Sequence, residues 1–102
     1  LYAMEAIDRV PRLIGCQASG AAPYVAAMDT KAARLEWVRD AHSAALSIAE
    51  AIGGEHALHA LRASGGSAWA STEIEIADAA RWLAARGIGA ELSSAAAVAA
   101  CL

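Results

Sequence analysis

The sequence is short of charge, of proline and of cysteine, and each shortage excludes something. Charged residues make up 19% of the chain and hydrophobic residues 58%, with only two prolines. Disordered tails show the opposite composition, polar and highly charged, so this chain needs a core. Basic residues are few and scattered. Eight lysines and arginines against eleven acids give a net charge of −3, which leaves no electrostatic footprint for nucleic acid or for an anionic membrane. The two cysteines, Cys16 and Cys101, lack C-x-x-C spacing. That excludes a disulfide scaffold and a thiolate zinc knuckle, and makes a reducing cytoplasm the expected location. The most apolar stretch, residues 95–102, falls well under the roughly 20 residues that span a bilayer. The first nine residues carry two acids and no basic lead into an apolar run, so they do not read as a signal peptide. A chain of 102 residues holds one domain at most. It starts at Leu1 and stops at Cys101-Leu102 inside an apolar helical pattern, and we expect a single segment, residues 1–102, cut at both ends from a larger domain.

What is present alternates between two periodicities. Residues 2–9 fit a short helix that ends before Pro11, because the residue preceding proline is pushed out of the α region. Residues 12–18 form a short apolar run bounded by Pro11 and Ser19-Gly20, which suits a buried strand. Pro23 opens a helix through Met28, interrupted at Asp29-Thr30. From Lys31 to Ile52 apolar residues recur at steps of three and four, and one or two helices are expected there, stopped by Gly53-Gly54. A further helix is expected from Glu55 to Ala63, ending at Gly65-Gly66, followed by a strand over residues 67–70. Thr72 with Glu75 three residues on is a capping-box signature. The helix it opens should bury Ile76, Ala79, Ala80 and Leu83, place Asp78 and Arg81 outside, and stop at Gly87. Residues 88–92 suit a third strand, with Ser93 or Ser94 capping a last helix. Strands alternating with helices give an α/β class: helix-rich βαβ units around a parallel sheet.

Most chemical constellations dissolve on inspection. His56 and His59 share a helix face beside Glu55, yet neither H-E-x-x-H nor its inverse is present, and no metal site is expected. Asp40, His42 and Ser43 are too close in sequence to face one another on a helix, and no G-x-S-x-G elbow exists. Cys16, inside an apolar strand, reads as an inert core thiol. Trp37, Trp69 and Trp82 are not interleaved with basic residues and read as core. Glu91 is different: it follows a candidate strand and precedes Ser93-Ser94, so it sits where ligands bind in parallel α/β sheets. On residue chemistry alone it is either such a contact or a carboxylate capping the helix.

One resemblance gathers these pieces. Pro11-Arg12-Leu13-Ile14-Gly15-Cys16-Gln17-Ala18-Ser19-Gly20-Ala21-Ala22-Pro23, then Ser47-Ile48-Ala49, then Gly65-Gly66, then Gly87-Ile88-Gly89-Ala90-Glu91-Leu92-Ser93-Ser94-Ala95-Ala96 resembles, in order, the threonine synthase family among the fold-type II pyridoxal-phosphate enzymes. The matched part is the large domain after the glycine-rich cofactor-phosphate loop. Leu92 stands where the family usually has proline, and Gly53-Gly54 where it tends to have glycine followed by proline.

The resemblance implies pyridoxal 5′-phosphate as cofactor and conversion of O-phospho-L-homoserine and water to L-threonine and phosphate. A serine or threonine dehydratase of the same fold is the alternative enzyme, and a non-catalytic truncated paralogue or interaction module is the third reading. Residue by residue it implies that Glu91, Ser93 and Ser94 lie near the cofactor. It also implies that no catalytic residue lies in this stretch, because the family's cofactor-bearing lysine falls before it. Lys31, the single lysine, matches no family motif. Expected partners are a small-molecule amino-acid phosphate substrate, with no nucleic acid and no membrane; a homo-oligomer is left open.

Overall fold

Two short strands and four helices carry the architecture, and the backbone explains why each stops where it does. The computed structural model describes residues 2–102. Strand β1 (Ile14–Ala18) runs into the turn Ser19-Gly20, and helix α1 (Pro23–Thr30) follows with proline in its first turn. Helix α2 (Glu55–Ala63) leads to strand β2 (Ser67–Ser71), helix α3 (Glu73–Ala84) and helix α4 (Leu92–Ala99). Strand β1 pairs with β2 in parallel, Ile14 opposite Ser67 and Ala18 opposite Ser71. The segment from β1 through α1 and α2 to β2 is therefore a βαβ crossover, as expected for an α/β chain. The expected third strand is absent: the described sheet has two strands.

Helix ends follow local chemistry. Thr72 caps α3 by a complete capping box: the Glu75 N–H donates to Thr72 Oγ1 at 3.3 Å and the Thr72 N–H to Glu75 Oε2 at 2.7 Å. Helix α2 closes in a Schellman motif. Gly66 N–H donates to Leu61 O and Gly65 N–H to Arg62 O, with Gly65 at φ +63°. Gly87, at φ +78°, ends α3 in the same way through Ile88 N–H to Leu83 O. That reversal is why residues 88–91 do not form the expected strand. Seven residues, 85–91, separate α3 from α4, a short connection, and those two helices pack on each other instead.

The sheet is covered unevenly. Paired residues point to the same face and successive ones to opposite faces. Ala18, at the carboxyl end of β1, is fully buried with Ile76, Ala79, Leu83, Ala95 and Ala96 of α3 and α4. On the other face a Cβ on Gly15 would lie 3.1 Å from Leu61 of α2. Ala27, Leu35 and Leu58 form a second small cluster. Towards the amino ends of the strands, the face shared with Ala18 is bare, and Ile14 and Trp69 stand 58% and 54% exposed.

Residues 31–52 depart most from expectation. Lys31 takes the left-handed conformation (φ 55°) and ends α1 with Ala32 N–H bonded back to Ala27 O. The only regular structure beyond it, before α2, is the 3-10 turn Leu46–Ile48. Distant acceptors satisfy the backbone there: Leu35 N–H donates to Glu55, Val38 N–H to Ala51 O, His42 N–H to Gly20 O and Ala44 N–H to Glu73. Leu35 and Ala45 are buried, but Trp37 and Leu46 are 72% and 82% exposed. An amphipathic face with nothing to pack on gains little from being helical. The helix expected over residues 2–9 shrinks to one 3-10 turn, Tyr2–Met4, ended by Glu5 at φ 56°. The tryptophans are not core either. Trp37 and Trp69 are exposed, and Trp82 lies under the Arg86 guanidinium, 3.7 Å from its ring centre, a surface cation–π contact.

Candidate cofactor-site wall

Two cavities flank the sheet, and topology separates them. The larger, about 960 Å³, lies at the amino ends of the strands between residues 7–12 and Gly65-Gly66-Ser67. The smaller, about 330 Å³, opens beside Gly15, Cys16 and Gln17 of β1, Pro23 and Tyr24 of α1, and the segment from Ser47 to Gly54. Ligands in parallel α/β sheets sit beyond the carboxyl ends of the strands, so the smaller cavity is the candidate site.

Its walls are built by specific contacts. Gln17 Oε1 accepts from the N–H groups of Tyr24 at 3.0 Å and Val25 at 3.2 Å, two of the orphan donors at the start of α1. Tyr24 Oη reaches across and donates to Gly54 O at 3.2 Å. Gly53 gives the ring room: a Cβ there would fall 2.0 Å from Tyr24 Oη. Burial, and secondarily the neighbouring Cys101, pushes the Cys16 thiol above its usual pKa, so it stays protonated and a poor nucleophile at neutral pH.

Of the residues that the resemblance sets near the cofactor, Glu91, Ser93 and Ser94, none lines this cavity, and one, Ser93, is bonded to a residue that does. Glu91 occupies the N-cap position of α4, exposed and without a side-chain capping bond, while Ser93 and Ser94 fall inside the first turn. Neither serine is therefore the N-cap that sequence suggested. Ser47, which lines the cavity, donates to Ser93 Oγ at 2.6 Å, and this bond ties the turn carrying Glu91 to the cavity wall. Sequence reasoning missed Gln17 and Tyr24 as cavity residues. The available signal was a polar residue in an apolar strand six residues before a proline that opens a helix.

The other candidates do not assemble. His42, His56 and His59 are exposed, and among the described residues no cluster of three His, Cys, Asp or Glu is placed to hold a metal ion. Among these residues no helix is long and apolar enough to cross a membrane. Lys31 is exposed and ends α1, on the order of 12 Å along the axis from the end that faces the cavity, at 1.5 Å per residue. The cavity's residues fit one wall of a pyridoxal-phosphate site: Gln17 and Ser47 offer polar contacts, and no lysine lines it.

Comparison with known proteins gives the family. The family model for pyridoxal-phosphate dependent enzymes matches residues 1–102. A threonine synthase from Methanosarcina acetivorans is 38% identical over 95 residues, covering 90% of this chain and 24% of the relative. The chain thus spans about a quarter of that relative's length. A two-stranded parallel sheet with four helices fits a piece of the fold-type II architecture, and the family's cofactor is pyridoxal phosphate. The chain belongs to the pyridoxal-phosphate dependent enzyme family.

Proposed function

We propose that residues 1–102 are a segment of the large domain of a threonine-synthase-like lyase, converting O-phospho-L-homoserine and water to L-threonine and phosphate in the cytoplasm. The observation that carries this reading is the 38% identity to a threonine synthase across 90% of the chain. Geometry supports it through two of the motifs of the resemblance, since Gln17 and Ser47 line one cavity and Ser47 is bonded to Ser93 of the α4 turn that bears Glu91. Pyridoxal phosphate, when bound, supplies the electron sink for carbanion chemistry at the substrate.

The residues of this segment bind and orient. Glu91 holds a carboxylate at the open end of α4, where it can orient a donor of cofactor or substrate by a charge-assisted hydrogen bond. The Ser47–Ser93 bond ties that turn to a residue of the cavity lining, and Tyr24 of the same lining is pinned to Gly54 O. The parent polypeptide should release phosphate and threonine in equal amounts from O-phospho-L-homoserine when supplied with pyridoxal phosphate. Formation of a 2-oxo acid and ammonia from serine or threonine, without phosphate chemistry, would assign it to the dehydratases. Absence of turnover on all these substrates would leave a non-catalytic paralogue.

A further inference from the structure

Gln17 is a buried polar side chain with one end spent and one end free. It is 9% exposed. Its carboxamide oxygen is fixed by the two N–H groups of Tyr24 and Val25, and the amide cannot be flipped, because a nitrogen there would face two donors. The Nε2 end therefore points away from α1. It has no hydrogen-bond partner among the described residues, and Ser71 Oγ is the sole fully enclosed side-chain polar atom left without one. Nε2 thus reaches accessible space, and Gln17 lines the 330 Å³ cavity.

The other hydroxyl donors of that cavity are committed elsewhere. Tyr24 Oη gives its proton to Gly54 O, and Ser47 Oγ gives its own to Ser93. The amide group of Gln17 is polarised by the two α1 N–H groups on its oxygen, which strengthens its own N–H as a donor and carries the positive end of the helix dipole into the cavity. Such a group selects an acceptor, best an anionic one. Glu50, the acid on the cavity lining, is exposed and so opposes an anion only through screened solvent.

We propose that Gln17 is a substrate-binding residue whose carboxamide N–H donates to an oxyanion of the bound amino-acid substrate, its carboxylate or its phosphate. The proposal rests on the reading that this cavity belongs to the active site. Gln17→Glu is the decisive variant, because a carboxylate oxygen still accepts from the Tyr24 and Val25 N–H groups while the donor becomes a second acceptor. An anion at a helix N-terminus is favourable, so the unfolding midpoint should hold at or above wild type, and that midpoint is the folding control.

Calorimetric binding of inorganic phosphate and of L-threonine to the parent holoenzyme then tells the two oxyanions apart without requiring turnover. We expect Gln17→Glu to weaken one of the two probes on the order of 10- to 100-fold, the loss of one hydrogen bond to a charged group. Weakened phosphate assigns the phosphate and weakened threonine the carboxylate. In turnover the same variant should raise KM by a similar factor with a smaller change in kcat. Unchanged affinity, in a normally folded variant, for every probe that binds wild type overturns the proposal, as does failure of both probes to bind wild type. Turnover of O-phospho-L-homoserine by wild type with unchanged probe affinities in Gln17→Glu removes the Gln17 assignment and leaves the proposed activity standing.

Discussion

Replacing Gly53 with alanine should disrupt the cavity wall formed by Tyr24, Gly53 and Gly54. The added Cβ would sit 2.0 Å from Tyr24 Oη, 2.3 Å from Cζ and 2.6 Å from Cε2, where ordinary contact begins at 3.4 Å. The hydroxyl must retreat by about 1.4 Å, the difference between 3.4 and 2.0 Å, and its 3.2 Å bond to Gly54 O breaks. Overpacking of this kind costs about 1–3 kcal/mol, and the lost neutral hydrogen bond about 1 kcal/mol. Together they predict a destabilisation of about 2–4 kcal/mol, read by denaturant unfolding of the parent polypeptide. The cause is testable by a double-mutant cycle. Tyr24→Ala removes the obstructing ring, so Gly53→Ala in that background should cost less than half as much. Gly65→Ala is the control: it is at φ +63° with nothing within 4 Å of its Cβ, so its penalty of about 1–2 kcal/mol is backbone strain that Tyr24→Ala should not relieve. An unchanged midpoint for Gly53→Ala, or full additivity with Tyr24→Ala, would refute the packing argument.

Two further outcomes follow from the ends of the chain's elements. Thr72→Ala should destabilise by about 1 kcal/mol in chemical denaturation, the usual worth of an N-cap side chain, and Thr72→Ser should restore most of it. The Glu75 carboxyl is held below its usual pKa by accepting from the Thr72 backbone N–H and, next, from the Thr72 hydroxyl. Its contribution is therefore fully present above the unfolded value, about pH 4.3, and is lost as pH falls through the lower folded value; Glu75→Gln should flatten the unfolding curve over that acid range. The 102-residue chain by itself should behave as a partly molten or associating species, because Ile14 and Trp69 leave a bare sheet face and a two-stranded parallel sheet exposes both edges. Strong dye binding and early elution in size exclusion are expected, and a monomer with a sharp cooperative melt would contradict this.

The parts of the fold legible in sequence were those set by local chemistry. The capping box at Thr72, the glycine stops at Gly65 and Gly87 and the proline at the start of α1 each act within one turn, so residue identity decides them. Residues 31–52 were misread because their helical periodicity is real but their partners are not local: Glu55, Glu73 and Gly20 capture the backbone donors. The third strand failed for a related reason, since an apolar run becomes a strand only beside another strand, and Gly87 turns residues 88–91 into a connection. The site divided the same way. The resemblance singles out Glu91 and the serine pair, but the bond of Ser93 to Ser47, 46 residues away in sequence, and the spare donor of Gln17 exist only in three dimensions.

The central claim is that these residues wall a pyridoxal-phosphate site whose lysine lies outside them. Borohydride reduction of the parent polypeptide loaded with pyridoxal phosphate, followed by peptide mapping, tests it most directly. The account predicts one pyridoxyl group per chain on a lysine outside residues 1–102, with Lys31 unmodified at stoichiometric cofactor. Stoichiometric trapping at Lys31, or no trapping on any lysine, would contradict it.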